Sequence, residues 1–130
     1  MAAADLPKGA GETVLVVDDE PAIRLIAQRT LESSGYRVLL AADGAEAIAI
    51  FRTQYQSIAL VMLDMTMPVL DGVPTIQALA RIDPAVRIIA ASGIHGNEQT
   101  ARAASPRVTQ FIPKPFTADM LLKAIRQALA

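Results

Sequence analysis

The sequence predicts a doubly wound α/β sandwich, with one parallel sheet between two layers of helix. Two observations carry that expectation. Five short apolar runs, residues 14–17, 38–42, 58–63, 86–91 and 108–112, lack polar alternation, as strands covered on both faces do. Segments with helical spacing follow each of them, so the order is strand then helix, five times over. Alternation of that kind implies right-handed crossovers and three layers. The composition agrees: 52% hydrophobic and 19% charged residues describe a packed domain rather than a disordered chain.

The elements can be justified in order. Residues 1–11 are small and loose and read as a leader or linker, leaving 12–130 as the folded domain. After the first run, Ile23, Ile26, Ala27, Thr30 and Leu31 keep helical spacing, and Gly35 is placed to stop that helix. After the second, Asp43 is an N-cap with Glu46 three residues on, and Ala45, Ile48, Ala49 and Arg52 trace a stripe. After the third, Val73, Ile76, Leu79 and Ala80 give another, with Pro74 tolerable only in a first turn. The segment at about 96–104 is the weakest, because its apolar residues are all Ala and bury little surface. Leu121, Ala124, Ile125, Ala128 and Leu129 form the last stripe.

Charge and composition exclude several functions. Twelve Lys and Arg against thirteen Asp and Glu leave a net charge of −1, which gives no bulk attraction to nucleic acid or an anionic membrane. The absence of Cys removes disulfides, thiol catalysis and Cys-based zinc sites, and the lone His95 cannot build a His-rich metal site. No apolar run approaches the ~18 residues of a membrane span, and no signal peptide is evident. A cytoplasmic single-domain protein is expected.

In open α/β sheets the functional crevice lies beyond the carboxyl ends of the strands. The first strand delivers Asp18, Asp19 and Glu20, the third Asp64, the fourth Ser92 and Gly93, and the fifth Lys114, Pro115 and Phe116. With the first and third strands as neighbours, in a flavodoxin-like order 2-1-3-4-5, Asp18, Asp19 and Asp64 converge on one rim. Unit charges ~4 Å apart repel by about 4 kcal/mol at an effective dielectric of ~20. Such a group needs cations. Hard oxygen donors without His or Cys suit Mg²⁺, with Mn²⁺ as a substitute. Three carboxylates, the Lys114 ammonium and one divalent ion sum to zero. That leaves room for a phosphoryl group shared between the metal, Lys114 and the Ser92 hydroxyl. Asp64, flanked by all three, is the natural carboxylate nucleophile toward phosphorus.

These motifs together resemble the receiver domain of two-component response regulators. The matching residues are Val14 to Glu20, Leu63-Asp64-Met65-Thr66-Met67-Pro68, Asp71-Gly72, Ala91-Ser92-Gly93 and Lys114-Pro115-Phe116, and the likeness runs from about Glu12 onward. The resemblance implies that Asp64 accepts a phosphoryl group from a phosphohistidine on a histidine kinase or phosphotransfer protein. It implies Mg²⁺ ligation by Asp19, Asp64 and the Thr66 carbonyl, with Asp18 acting largely through water. Ser92 and Lys114 would hold phosphoryl oxygens, and Phe111 occupies the family's switch-aromatic position. A cis Lys114–Pro115 bond is also implied. The output face would be the segment at 96–104, the fifth strand and the last helix, through which family members also form homodimers. The chain would be a self-phosphorylating acceptor with autodephosphorylation, not an enzyme in its own right. Any kinase activity would lie in another domain.

Ser105-Pro106-Arg107 departs from the family, where Ala and Gly are usual, and Ile94 offers no hydrogen bond to an attacking water. Two origins fit the residues: the receiver end of a hybrid histidine kinase, which the loose leader favours, and a stand-alone response regulator. A Mg²⁺-dependent phosphatase with an Asp nucleophile is a remote third, since the second Asp it needs is here Thr66. A nucleotide-binding module is weaker still, for no Gly-rich loop follows the first strand.

Overall fold

The computed structural model describes residues 9–65, 72–93 and 105–130. Within them five strands, β1 (Thr13–Val17), β2 (Arg37–Ala41), β3 (Ile58–Asp64), β4 (Ile88–Ser92) and β5 (Val108–Pro113), form one sheet in the order β2-β1-β3-β4-β5. Every pairing is parallel. Four helices are described: α1 (Pro21–Ser33), α2 (Gly44–Gln54), α3 (Gly72–Ile82) and α4 (Ala118–Leu129). The expected segment at 96–104, together with Thr66, Ile94 and His95, lies outside the described residues. No described helix is long and apolar enough to cross a membrane.

Strand alternation divides the core in two. Leu15, Val17, Val61, Leu63, Ile88 and Ala90 face one side, against Ala47 and Phe51 of α2 and Ile76 and Leu79 of α3. Val14, Val16, Leu60, Met62, Ile89 and Ala91 face the other, against Ala27 and Leu31 of α1 and Leu121, Leu122 and Ile125 of α4. The central strands are therefore buried on both faces, which is why their sequences carry unbroken apolar runs. The edge strands β2 and β5 are more open.

Local signals hold where they rest on backbone chemistry. Asp43 caps α2, its Oδ1 accepting the Glu46 N–H at 2.8 Å. Gly35 ends the α1 turn at φ +91°, a conformation that other residues rarely adopt. Pro74 falls in the first turn of α3. β4 begins at Ile88 rather than at residue 86. Asp83 holds a turn before it, with Oδ1 accepting from Ala85 N at 2.9 Å and its carbonyl from Val86 N at 3.0 Å.

Two helix faces differ from the periodic expectation. On α2 the buried residues are Gly44, Ala47 and Phe51, while Ala45, Ala49 and Arg52 are exposed. A stripe of Ala gives a weak preference for either orientation, and the large apolar ring of Phe51 decides it. On α1 the sheet is met by Ala27 and Leu31, and Ile26 is 54% exposed. Ile26 sits about 100° round the helix from Ala27, beyond the reach of the sheet.

The Ser105-Pro106-Arg107 departure forms a clamp. Ser105 is buried, and its Oγ accepts from Arg107 N at 3.0 Å. The Arg107 guanidinium donates to the Val86 and Ala85 carbonyls at 3.0 and 3.5 Å, tying the start of β5 to the turn before β4. Gly9 N and Gly11 N donate to the Ser34 and Gly35 carbonyls, so this part of the 1–11 stretch lies against the end of α1.

Candidate functional site

Register places the crevice residues side by side. Val17 pairs with Leu63, so Asp18 and Asp64 are the next positions on adjacent strands. Asp64 pairs with Ala91, and Ser92 with Pro113, the residue before Lys114. Lys114 N donates to the Ser92 carbonyl at 3.1 Å, and the Lys114–Pro115 peptide bond is cis. Four strand ends thus meet at one rim.

Asp18 and Asp64 are buried there, with side chains 3% and 4% exposed. Asp19 and Glu20 are exposed. The Lys114 ammonium lies among them, 3.0 Å from Asp18 Oδ2, 3.2 Å from Glu20 Oε1 and 3.4 Å from Asp64 Oδ2. Asp18 is fixed further by the Glu20 N–H, which donates to its Oδ1 at 2.9 Å. Its carbonyl accepts from Arg24 Nη1 at 2.7 Å, joining the rim to α1. Burial lowers the pKa of Lys114. The Asp18 hydrogen bond and the charges of Asp64 and Asp18 outweigh that and raise it above the ordinary value of 10.5.

Three carboxylates, those of Asp18, Glu20 and Asp64, therefore contact one ammonium. Asp18, Asp19 and Glu20 hold carboxylate oxygens within 4.8 Å of one another, an all-oxygen donor set of the kind hard divalent cations prefer. Asp64 is linked to that group through Lys114. The sequence reading assigned no part to Glu20 or Arg24. The Asp-Asp-Glu run already set Glu20 at the end of the first strand, whereas Arg24 carried no comparable signal.

Ser92 lies at the end of β4, partly exposed. Phe111, paired with Ala90 on β5, is partly buried and packs against the α2 and α3 side of the core. By strand alternation Ser92, two residues beyond Ala90, belongs to the same face as Phe111.

Met65 and Gly72 pack closely against each other, with Gly72 N donating to the Met65 carbonyl at 3.3 Å. A Cβ on Gly72 would lie 2.7 Å from Met65 Sδ and 2.9 Å from Met65 Cα. The sulfur can move aside but the backbone atom cannot. Gly72→Ala is expected to destabilise the domain by about 1–3 kcal/mol, measured by urea unfolding.

A parallel sheet in this order, with buried acids and a Lys at its carboxyl rim, defines a doubly wound α/β domain with an acidic crevice at its carboxyl edge. The comparisons narrow it. Residues 14–126 match the family model described as the response regulator receiver domain, and the chain belongs to that family. Chemotaxis protein CheY of Bacillus subtilis (strain 168) is 33% identical over 117 residues, which is 89% of this chain and 96% of CheY. Sensor kinase CckA of Brucella abortus (strain 2308) is 33% identical over 90% of this chain, which spans only 12% of that protein. The crystal structure of the CheX-CheY-BeF3-Mg²⁺ complex from Borrelia burgdorferi superposes with a TM-score of 0.81 at 30% identity, covering 91% of this chain and 89% of that one. The chain is a receiver domain of two-component signalling, a family of phosphoacceptors rather than kinases. Receiver domains work with histidine kinases or phosphotransfer proteins.

Proposed function

We propose that Asp64 takes a phosphoryl group from a phosphohistidine in a Mg²⁺-dependent step, and that the aspartyl phosphate alters a protein-binding face. The observation that carries this is the Lys114 ammonium held 3.0 and 3.4 Å from the two buried carboxylates Asp18 and Asp64 at the carboxyl rim of the sheet.

A carboxylate oxygen of Asp64 attacks phosphorus as the bond from phosphorus to the imidazole nitrogen breaks. The electron pair of that bond returns to the nitrogen, and an acyl phosphate remains on Asp64. Asp18 and Asp19, with Asp64 and the Thr66 carbonyl, are the proposed Mg²⁺ ligands. The ion supplies positive charge for the phosphoryl oxygens. Lys114 orients the Asp64 carboxylate beforehand and then meets the developing charge without reorganisation. Ser92 donates its hydroxyl to a phosphoryl oxygen. Its movement is transmitted to Phe111, which shares its face of the sheet, and so to the face formed by the segment at 96–104, β5 and α4.

The likeness to one receiver inside a much longer sensor kinase, and to one CheY matched over 96% of its length, supports both origins. We favour a hybrid histidine kinase, and a stand-alone regulator is the second reading. Partner specificity and homodimerisation through the output face belong to this proposal. So does slow autodephosphorylation, from an Ile at position 94.

Incubation with Mg²⁺ and acetyl phosphate, followed by intact-mass analysis, should show one added phosphoryl group on the parent and none on Asp64→Asn. Labelling of Asp64→Asn to the parent's extent would overturn the assignment. Steady turnover of a small phosphate ester without a labelled protein would favour the phosphatase.

A further inference from the structure

We propose that Glu20 is a positioning residue that acts through Lys114, as the exchangeable partner which yields to an incoming phosphoryl group. An ammonium has three N–H donors. Here three carboxylates take them: Asp18 at 3.0 Å, Glu20 at 3.2 Å and Asp64 at 3.4 Å. A phosphoryl oxygen can gain a donor from Lys114 only if one of these partners lets go.

The three differ in what release costs. The Asp18 and Asp64 side chains are buried, and parting either from the ammonium costs more in a poorly solvated place than parting an exposed acid. The Glu20 side chain is 58% exposed and rehydrates as it leaves. Glu20 is also tied to the crevice by its backbone, since its N–H donates to Asp18 Oδ1 and its residue forms the N-cap of α1 without a side-chain cap bond. The side chain can therefore swing out while the rim stays in place. Glu20 keeps Lys114 aligned between phosphotransfer events, and it slows each event by the strength of one exposed ion pair.

This inference rests on the reading of Asp64 as phosphoacceptor, and the experiment separates the two. In the metal-free 130-residue chain, the ¹⁵N-ammonium resonance of Lys114 should be protected from exchange. Glu20→Gln should reduce that protection, and Glu20→Asp should restore part of it. At saturating Mg²⁺, labelling of Glu20→Gln by acetyl phosphate should be about two- to fivefold faster than the parent, the range that an exposed ion pair supports.

Glu46→Gln removes an exposed acid from the first turn of α2 and serves as the control for general charge. Its effect should be smaller and should vanish at high salt, while that of Glu20→Gln persists. Unchanged ammonium exchange, or a labelling rate equal to or below the parent's, overturns the role of Glu20 alone. A parent that takes no phosphoryl group on Asp64 overturns the underlying reading, and the ammonium measurement still reports on the pair.

Discussion

Lys114→Ala is expected to lower metal-free stability by about 3–5 kcal/mol, the largest loss of any single change at the crevice. The Lys114 side chain is 13% exposed and serves two carboxylates more deeply buried than itself. Without it, Asp18 and Asp64 face each other as like charges with little water to screen them. Thermal unfolding in chelator measures the loss. Adding Mg²⁺ should recover part of it, because a divalent ion binding only the folded variant replaces the missing charge.

The pH dependence follows from the sign of the Lys114 shift. A Lys whose pKa is raised on folding contributes stability fully present below its unfolded value of 10.5. That contribution disappears only as pH rises through the higher folded value. The gap between parent and Lys114→Ala should therefore not narrow between pH 7 and pH 9. A variant as stable as the parent in chelator would show that the ammonium is not compensating the buried acids.

Asp18→Ala and Asp19→Asn should move stability in opposite directions. Crowding alone predicts that removing either acid relieves repulsion. The environments decide otherwise. Asp18 is buried and accepts from both Glu20 N and Lys114 Nζ. Its loss should cost about 2–3 kcal/mol, that of charge-assisted bonds in a buried place. Asp19 is exposed, so Asp19→Asn should raise the melting temperature modestly in chelator. Both should weaken Mg²⁺ binding in a calorimetric titration. Shifts of the same sign in melting temperature for the two variants would refute the distinction between them.

The legibility of the site differed residue by residue. Asp18, Asp64, Ser92 and Lys114 could be placed because each ends an apolar run, and a run's end is a strand's end in a parallel sheet. The bond from Lys114 to Glu20 spans 94 residues of sequence and depends on how the first turn of α1 leaves β1. No periodicity records that. Helix orientation was legible where large apolar residues recur, as in α4, and misread where Ala formed the pattern, as in α2.

The order of elements, the parallel sheet and the rim on which chemistry gathers were set by the chain itself, since apolar runs and caps act over a few residues. Tertiary packing alone decided which acid of the Asp-Asp-Glu run is buried and which pair with Lys114. Burial and charge compensation depend on atoms that distant parts of the chain bring together, and local sequence holds no measure of that distance.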